Sequence, residues 1–285
     1  MRSYRYLALC AFKSAMGRGF ACPSCGGDAG EVVDRKYVVT ALRRCGECGL
    51  LYRTPTTTAE ENAKFYQSDY EENTTTDLPD ASRLEELKAE NFASLSTSYL
   101  GYIEVLRMLG ARDGQTVMDF GCSWGYGSHQ LQKAGFKVES FEISKPRAQY
   151  ARDRLGIATL ELEAIPSSVY DVFLSCHVIE HVPSVEDMMV LGERVLKPGG
   201  MFVAFTPNGS MAFRAQDREV WHRSWGFVHP QLIDDRFLTQ ASSRRAFVAA
   251  SVPYPLEALR NWKGEQSILG MNGYELMLAF RKPGG

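Results

Sequence analysis

Two histidines and a carboxylate stand close together in His177-Val-Ile-Glu-His181. An imidazole titrates near neutral pH, so either ring could serve as a general base, with Glu180 beside it in sequence. His181 is the first candidate and His177 the second, and a purely structural role for His181 is the competing reading. The same H-x-x-E-H spacing serves a class of zinc proteases, but there it lies on a helix. Here it follows Val172 to Ser175, a buried-strand pattern, at the edge where α/β folds place their ligands. A second cluster, Trp221-His-Arg-Ser-Trp-Gly-Phe-Val-His229-Pro230, offers His222 and His229 as acceptor-binding or basic groups. Its tryptophans could stack on a ring or close the core.

Cys22-Pro-Ser-Cys25 and Cys45-Gly-Glu-Cys48 are two C-x2-C pairs separated by 19 residues, the spacing of a structural zinc site. Two residues between cysteines let one tight turn aim both sulfurs at one ion. Four thiolates complete a tetrahedral shell and leave no position for water, so Cys22, Cys25, Cys45 and Cys48 would hold the fold or dock a partner and not perform chemistry. Iron is the alternative metal. Cys10, Cys122 and Cys176 read as packing residues.

The elements that must position these groups are legible around a glycine loop. Thr116-Val-Met-Asp-Phe120 is a buried-strand pattern that runs into Gly121-Cys-Ser-Trp-Gly125-Tyr-Gly127, and a helix is expected over Ser128 to Ala134. A second strand, Lys137 to Phe141, ends at Glu142, 23 positions beyond Asp119, where an acid can hold the two ribose hydroxyls of an adenosine-containing cofactor. There is no clean G-x-G-x-x-G. Asp119 at the mouth of the loop would repel a pyrophosphate but suits a ligand that carries an ammonium and a sulfonium.

Asp119-Phe-Gly121-Cys-Ser123-Trp-Gly125 resembles motif I of class I S-adenosylmethionine-dependent methyltransferases, except that Ser123 stands where their pattern has Gly. The resemblance extends through Glu142, Tyr170 to Val182, Leu196 to Gly200 and the strand to Thr206-Pro-Asn208, and covers roughly residues 101 to 285. It implies a doubly wound, Rossmann-like α/β fold with a seven-stranded sheet whose last strand is antiparallel, Phe247 to Val252 and Tyr274 to Phe280 supplying the final pair. It implies S-adenosyl-L-methionine bound by Asp119, Phe120, Gly121, Cys122, Ser123, Gly125, Glu142, Ile143, Glu161, Leu162 and Cys176. The acceptor would meet Tyr126, Asn208, His222, Trp225 and His229. The N-terminal portion is similar to a bacterial arrangement of a four-cysteine ribbon and a Phe-Tyr helix that includes sugar methyltransferases. A small or carbohydrate-like acceptor, a nucleotide sugar or surface-glycan unit, is therefore expected; an RNA methyltransferase that uses the ribbon as its grip, or a cofactor-binding docking protein without catalysis, is the alternative.

Length and composition bound these readings. The 285 residues divide into a basic amphipathic segment (1–20), a ribbon (21–53), a helical linker or cap (54–100) and the catalytic domain (101–285). Thr58-Ala-Glu-Glu61 matches a capping box that opens a short helix through Tyr66. A net charge of −2 supplies no broad basic footprint, which disfavours nucleic acid as a partner. No apolar run reaches the roughly 18 residues that span a bilayer. Arg2, Arg5, Lys13 and Arg18 around Tyr6 to Phe12 read as a helix packed on its own protein, with contact to a membrane surface as the alternative. Seven cysteines, an odd number, suit a reducing, cytoplasmic setting. Nothing in the sequence sets the oligomeric state.

Overall fold

The computed structural model describes residues 2–64 and 78–284. Phe65 and Tyr66, the end of the helix expected from Thr58 onward, lie outside the described residues. In chain order, α1 (Arg2–Ala15) leads into β1 (Gly30–Lys36), β2 (Thr40–Cys45) and β3 (Leu51–Thr54). Three helices follow, α2 (Ala59–Lys64), α3 (Ala81–Ala89) and α4 (Leu100–Met108). Strands and helices then alternate as β4 (Thr116–Phe120), α5 (Tyr126–Lys133), β5 (Lys137–Phe141), α6 (Lys145–Leu155), β6 (Ala158–Leu160), β7 (Tyr170–Cys176), α7 (Val185–Val195) and β8 (Leu196–Pro207). The C-terminal part holds α8 (Met211–Gln216), α9 (Arg218–Arg223), β9 (Gln231–Leu232), α10 (Asp235–Gln240), β10 (Phe247–Ser251), α11 (Leu256–Asn261), β11 (Ser267–Ile268) and β12 (Glu275–Arg281).

The main sheet has the order β11-β10-β12-β8-β7-β4-β5-β6. Only β12 runs against its neighbours, β8 and β10. The sheet therefore has eight strands where seven were expected: the two-residue β11 adds an edge beside β10, too short to leave a pattern in sequence. Alternate residues of the strands feed two cores. Val117, Leu174, Val203 and Val248 pack on one face with α4 and α5, while Met118, Phe173, Phe202 and Phe247 pack on the other with α7 and α10. Cover on both faces explains why these strands read as continuous apolar runs.

The ribbon is not a separate unit. Its sheet has the order β1-β2-β3-β9, and β9 comes from the C-terminal part of the chain. Leu42 and Leu51 share a core with Phe213, Trp221, Trp225 and Leu232. Arg44 of β2 makes a buried ion pair with Asp234 at 2.7 Å. α1 packs on this assembly through Lys13, whose Nζ donates to Thr56 O (2.9 Å) and Glu61 (2.6 Å), while Leu9, Phe12 and Met16 face outward. Among the described residues no helix is long and apolar enough to cross a membrane. The capping box closes in both directions: Thr58 N donates to Glu61 Oε2 (2.9 Å) and Glu61 N to Thr58 Oγ1 (3.2 Å).

Close approach of α7 to the sheet depends on Gly192, where a Cβ would stand 2.4 Å from the Phe202 ring. That ring is locked in a stack with Phe173 and Phe280 and has no room to yield. Gly192→Ala is expected to destabilise by up to about 2 kcal/mol, because overpacking costs about 1–3 kcal/mol against a helix-propensity gain of about 1 kcal/mol. A fall in the urea midpoint with an unchanged m-value checks this.

Candidate active-site cavity

From β4 the chain moves outward through β5 and β6, then returns to the other side of β4 as β7. No crossover covers the carboxyl ends of β4 and β7, and there a cavity of about 470 Å³ opens. One end is an apolar slot of Phe120, Phe141, Ile143, Leu162 and Val178 with Glu142 at its rim. The other is lined by Asn62, Tyr102, His177, Glu180, His181 and His229, with Tyr99, Tyr126 and Cys176 between.

The loop after β4 wraps around Glu142. Its Oε2 accepts from Ser123 N (2.9 Å) and its Oε1 from Ser144 N (2.8 Å). Burial pushes this carboxyl up, and the two amides and the Arg147 charge partly offset that. Gly121 has φ +89°, and a Cβ there would meet Val178 Cγ2 at 2.3 Å, so the loop and the turn after β7 can touch only because position 121 has no side chain. Ser123 lies at φ +54°, in the left-handed region, which accounts for the preference for glycine at this position. Its hydroxyl accepts a 2.7 Å bond from Arg147.

Asp119 departs from the sequence reading. It does not stand at the mouth of the loop but is wholly buried beneath it, accepting from Ser128 Oγ (2.6 Å) and from the Tyr99 hydroxyl (3.5 Å). Burial pushes its carboxyl up to about 7, despite those two hydroxyls. Cys122 is also buried and does not line the cavity. Gly125 caps α5 at φ +92° against Ala151 and Ile157, and helix α5 starts two residues earlier than expected. Glu161 is exposed and off the cavity wall, whereas Leu162 lines it.

The turn 177–181 is not helical. His177, at φ +54°, has Nε2 2.6 Å from Glu275 Oε2 and Nδ1 3.3 Å from Glu180 Oε1. Burial pulls its pKa down, but the two carboxylates outweigh that and hold it at about 10. A ring that stays protonated between two carboxylates makes a poor base. Glu275 also accepts from the hydroxyls of Tyr102 (2.7 Å) and Tyr254 (2.5 Å). His181 differs: burial holds it down, to about 4, and its Nδ1 lies 2.8 Å from Val228 O. A carbonyl only accepts, so Nδ1 carries the proton and Nε2 the lone pair.

Three residues expected to meet the acceptor do other work. Asn208 is fully buried, with Nδ2 donating to Met271 O and Gly273 O (2.8 Å each) and Oδ1 accepting from Ser210 N (2.9 Å). His222 Nδ1 and Trp225 Nε1 both donate to Asp34 Oδ2 of the ribbon, at 2.5 and 2.9 Å. Trp221 and Trp225 are core residues, not stacking platforms. Sequence reasoning missed Tyr102, Arg147, Glu275 and Asp34; only Glu275 left a signal, as a lone acid heading the apolar run of β12.

The ribbon's four thiols converge, with Sγ atoms 3.6 Å apart for Cys22 and Cys48, 3.5 Å for Cys25 and Cys45, and all within 4.8 Å. Sulfurs on a tetrahedral ion with bonds of about 2.3 Å would stand about 3.8 Å apart, so the set fits such an ion with little adjustment. A second group within 4.8 Å is Glu180, His181 and His229.

Residues 118–204 match the family model described as a methyltransferase domain, a stretch that holds the glycine loop, Glu142 and the 177–181 turn. Among curated proteins, the ubiquinone biosynthesis O-methyltransferase of Paramagnetospirillum magneticum is 31% identical over 104 residues, 34% of this chain and 42% of that protein. The malonyl-[acyl-carrier protein] O-methyltransferase of Salmonella typhimurium is 33% identical over 142 residues, 46% of this chain and 55% of that protein. The chain thus spans about half the length of the curated relatives it matches. Among solved structures, geranyl diphosphate C-methyltransferase from Streptomyces coelicolor, in complex with Mg2+, geranyl diphosphate and S-adenosyl-L-homocysteine, aligns with a TM-score of 0.50. It is 15% identical, over 79% of this chain and 98% of that one, and shares the α/β Rossmann-like methyltransferase fold.

Asn208→Ala would leave the Gly273 carbonyl and the Ser210 amide unpartnered in the interior, while Met271 O keeps its bond from Ser210 Oγ. It is expected to cost about 2–4 kcal/mol of stability, since each buried group left unpaired costs about 1–3 kcal/mol and some repacking is available. Chemical denaturation checks this.

Proposed function

We propose that this chain transfers a methyl group from S-adenosyl-L-methionine to a hydroxyl of a small, carbohydrate-like acceptor, such as a nucleotide sugar or surface-glycan unit. The observation that carries the reading is Glu142, a carboxylate pinned by two amides at the carboxyl end of β5 beside an apolar slot. A ribose diol on the carboxylate and an adenine between Phe120, Phe141, Ile143 and Leu162 suit that arrangement. The amides of Gly121, Cys122, Ser123 and Gly125 are all hydrogen-bonded within the protein, so they offer no cradle to a pyrophosphate. That favours a cofactor without phosphates over a nicotinamide dinucleotide.

S-adenosylmethionine supplies an electrophilic methyl on a positively charged sulfur. The chain's residues bind, orient and handle the proton, and most of the rate can come from alignment alone. The polar wall of Asn62, Tyr102, His177, Glu180, His181 and His229 offers hydrogen bonds to an acceptor with several hydroxyls. With no ion at this end of the cavity, His181 Nε2 takes the proton of the reacting hydroxyl, and Val228 O fixes the tautomer. Both curated relatives described above are O-methyltransferases by name, in line with an oxygen acceptor. Their acceptors differ, so the acceptor class rests on the cavity. The four cysteines we read as a structural zinc site that holds the ribbon's turns.

Calorimetric titration is the first test. S-adenosylhomocysteine should bind and NADH should not. Glu142→Ala should weaken the former about a hundredfold, from about 3 kcal/mol of lost charge-assisted hydrogen bonding. NADH binding alone would overturn the reading. With labelled S-adenosylmethionine and a panel of nucleotide sugars, His181→Asn is expected to lower kcat by about 10²–10⁴ with cofactor affinity little changed. Transfer to RNA and to no panel member would overturn the acceptor class.

A further inference from the structure

The acceptor end of the cavity gathers three electron-pair donors from two separate segments. Glu180 and His181 sit in the turn after β7 and His229 in the loop before β9, and one ligand atom from each lies within 4.8 Å of the other two. The two imidazoles are oriented alike. His181 Nδ1 donates to Val228 O at 2.8 Å and His229 Nδ1 to Ser224 O at 2.9 Å, so in each neutral ring Nε2 carries the lone pair. The rings meet edge to face at 4.6 Å, and His181 Nε2 lies 3.9 Å from Glu180 Oε1. Glu180 Oε2 accepts from Thr206 Oγ1 at 3.0 Å, which fixes the carboxylate, while Oε1 is buried without a hydrogen bond of acceptable geometry.

The protonated His177 ring, 3.3 Å from Oε1, offsets part of the Glu180 charge, but it stands outside the trio, and acceptor atoms that face one another repel unless a proton or a cation stands between them. A backbone carbonyl on Nδ1 is the support that metal-ligating histidines receive, because it fixes both ring orientation and tautomer. We propose that Glu180, His181 and His229 bind a divalent transition-metal ion at the acceptor end of the cavity. Two imidazole nitrogens and one carboxylate select zinc, iron(II), manganese or cobalt over magnesium or calcium, which take oxygen ligands. On bonds of about 2.1 Å the ligand atoms would stand about 3–3.5 Å apart, so the three groups draw together from within 4.8 Å as the ion enters. Three protein ligands leave a position open to an acceptor hydroxyl, whose acidity the ion would raise. This rests on the methyl-transfer reading and refines it. With the ion in place His181 is a ligand, and the hydroxyl's proton leaves to solvent.

The test uses the full chain loaded with a single equivalent of zinc, which the four thiolates take first, the zinc content being confirmed by elemental analysis before titration. Cobalt(II) is titrated and followed by calorimetry and visible absorption. One further equivalent is expected to bind, without the thiolate-to-metal charge-transfer band of the cysteine site. His229→Ala and the shape-conserving His229→Gln should each weaken it at least tenfold while their thermal unfolding stays cooperative. No further uptake, or uptake equal in the wild type and in a folded His229 variant, overturns the proposal. A parallel S-adenosylhomocysteine titration of the wild type separates the two readings. Homocysteine-nucleoside binding without cobalt uptake removes only the metal, and cobalt uptake without it removes the methyl-transfer reading on which the ion's task depends.

Discussion

The chain leaves β4 in one direction and comes back on its other side, and the rest of the molecule is arranged around that reversal. Because β5 and β6 lie to one side of β4 and β7 and β8 to the other, the carboxyl ends of β4 and β7 are left without a connection above them. The glycine loop fills part of the gap and the turn 177–181 fills the rest. They meet where Val178 lies over Gly121. Both left-handed non-glycine residues of the cavity, Ser123 and His177, stand in these two segments. Within the cavity, left-handed strain thus falls where the chain must turn sharply at the end of a strand.

The ribbon enters this arrangement as a scaffold for the histidine end of the cavity. Its β3 recruits β9, and Asp34 of β1 holds both His222 and Trp225. Lys36, also of β1, donates to the Trp225 carbonyl and lies over its ring. These contacts fix the segment from 222 to 229, and that segment's carbonyls at Ser224 and Val228 orient His229 and His181. A line of direct contacts therefore runs from the four-cysteine fold to the imidazoles in the cavity. Loss of order in the ribbon would reach the histidine end before it reached Glu142, which is held by the loop after β4 and the start of α6.

What was legible in the sequence is what local pattern determines. The strands Thr116–Phe120 and Lys137–Phe141 stand at the expected bounds, because each is a short apolar run stopped by a loop signal on both sides. The box at Thr58 was readable for the same reason: both its partners lie within four residues. The burial of Asp119 was not, since it depends on Ser128 of α5 and on Tyr99, the residue that precedes α4. Whether Trp221 and Trp225 stack on a ring or close the core was not legible, because the residues that enclose them, Leu42 and Leu51, come from the far end of the chain. The union of ribbon and catalytic sheet, through contacts 188 and 191 residues apart, has no local signature. The boundary drawn at residue 53 therefore marks a change of composition and not a break between folding units.

Ser123 shows how a local departure can be absorbed by a contact that sequence spacing does not reveal. A left-handed backbone costs a residue with a Cβ roughly 1–2 kcal/mol relative to glycine. Ser123 recovers part of this by two bonds: its hydroxyl accepts from Arg147 and its amide donates to Glu142. The amide bond would survive in glycine, so only the hydroxyl's link to Arg147 distinguishes serine here. That link is charge-assisted and half-buried, worth about 1.5–3 kcal/mol when well formed, enough to balance the backbone cost. It also ties the guanidinium to the loop on the cavity side of α6, where it lines the wall beside Glu142 and moderates that carboxyl's burial. The substitution of serine for glycine thus exchanges backbone freedom for a fixed positive charge next to the carboxylate on which the cofactor reading rests.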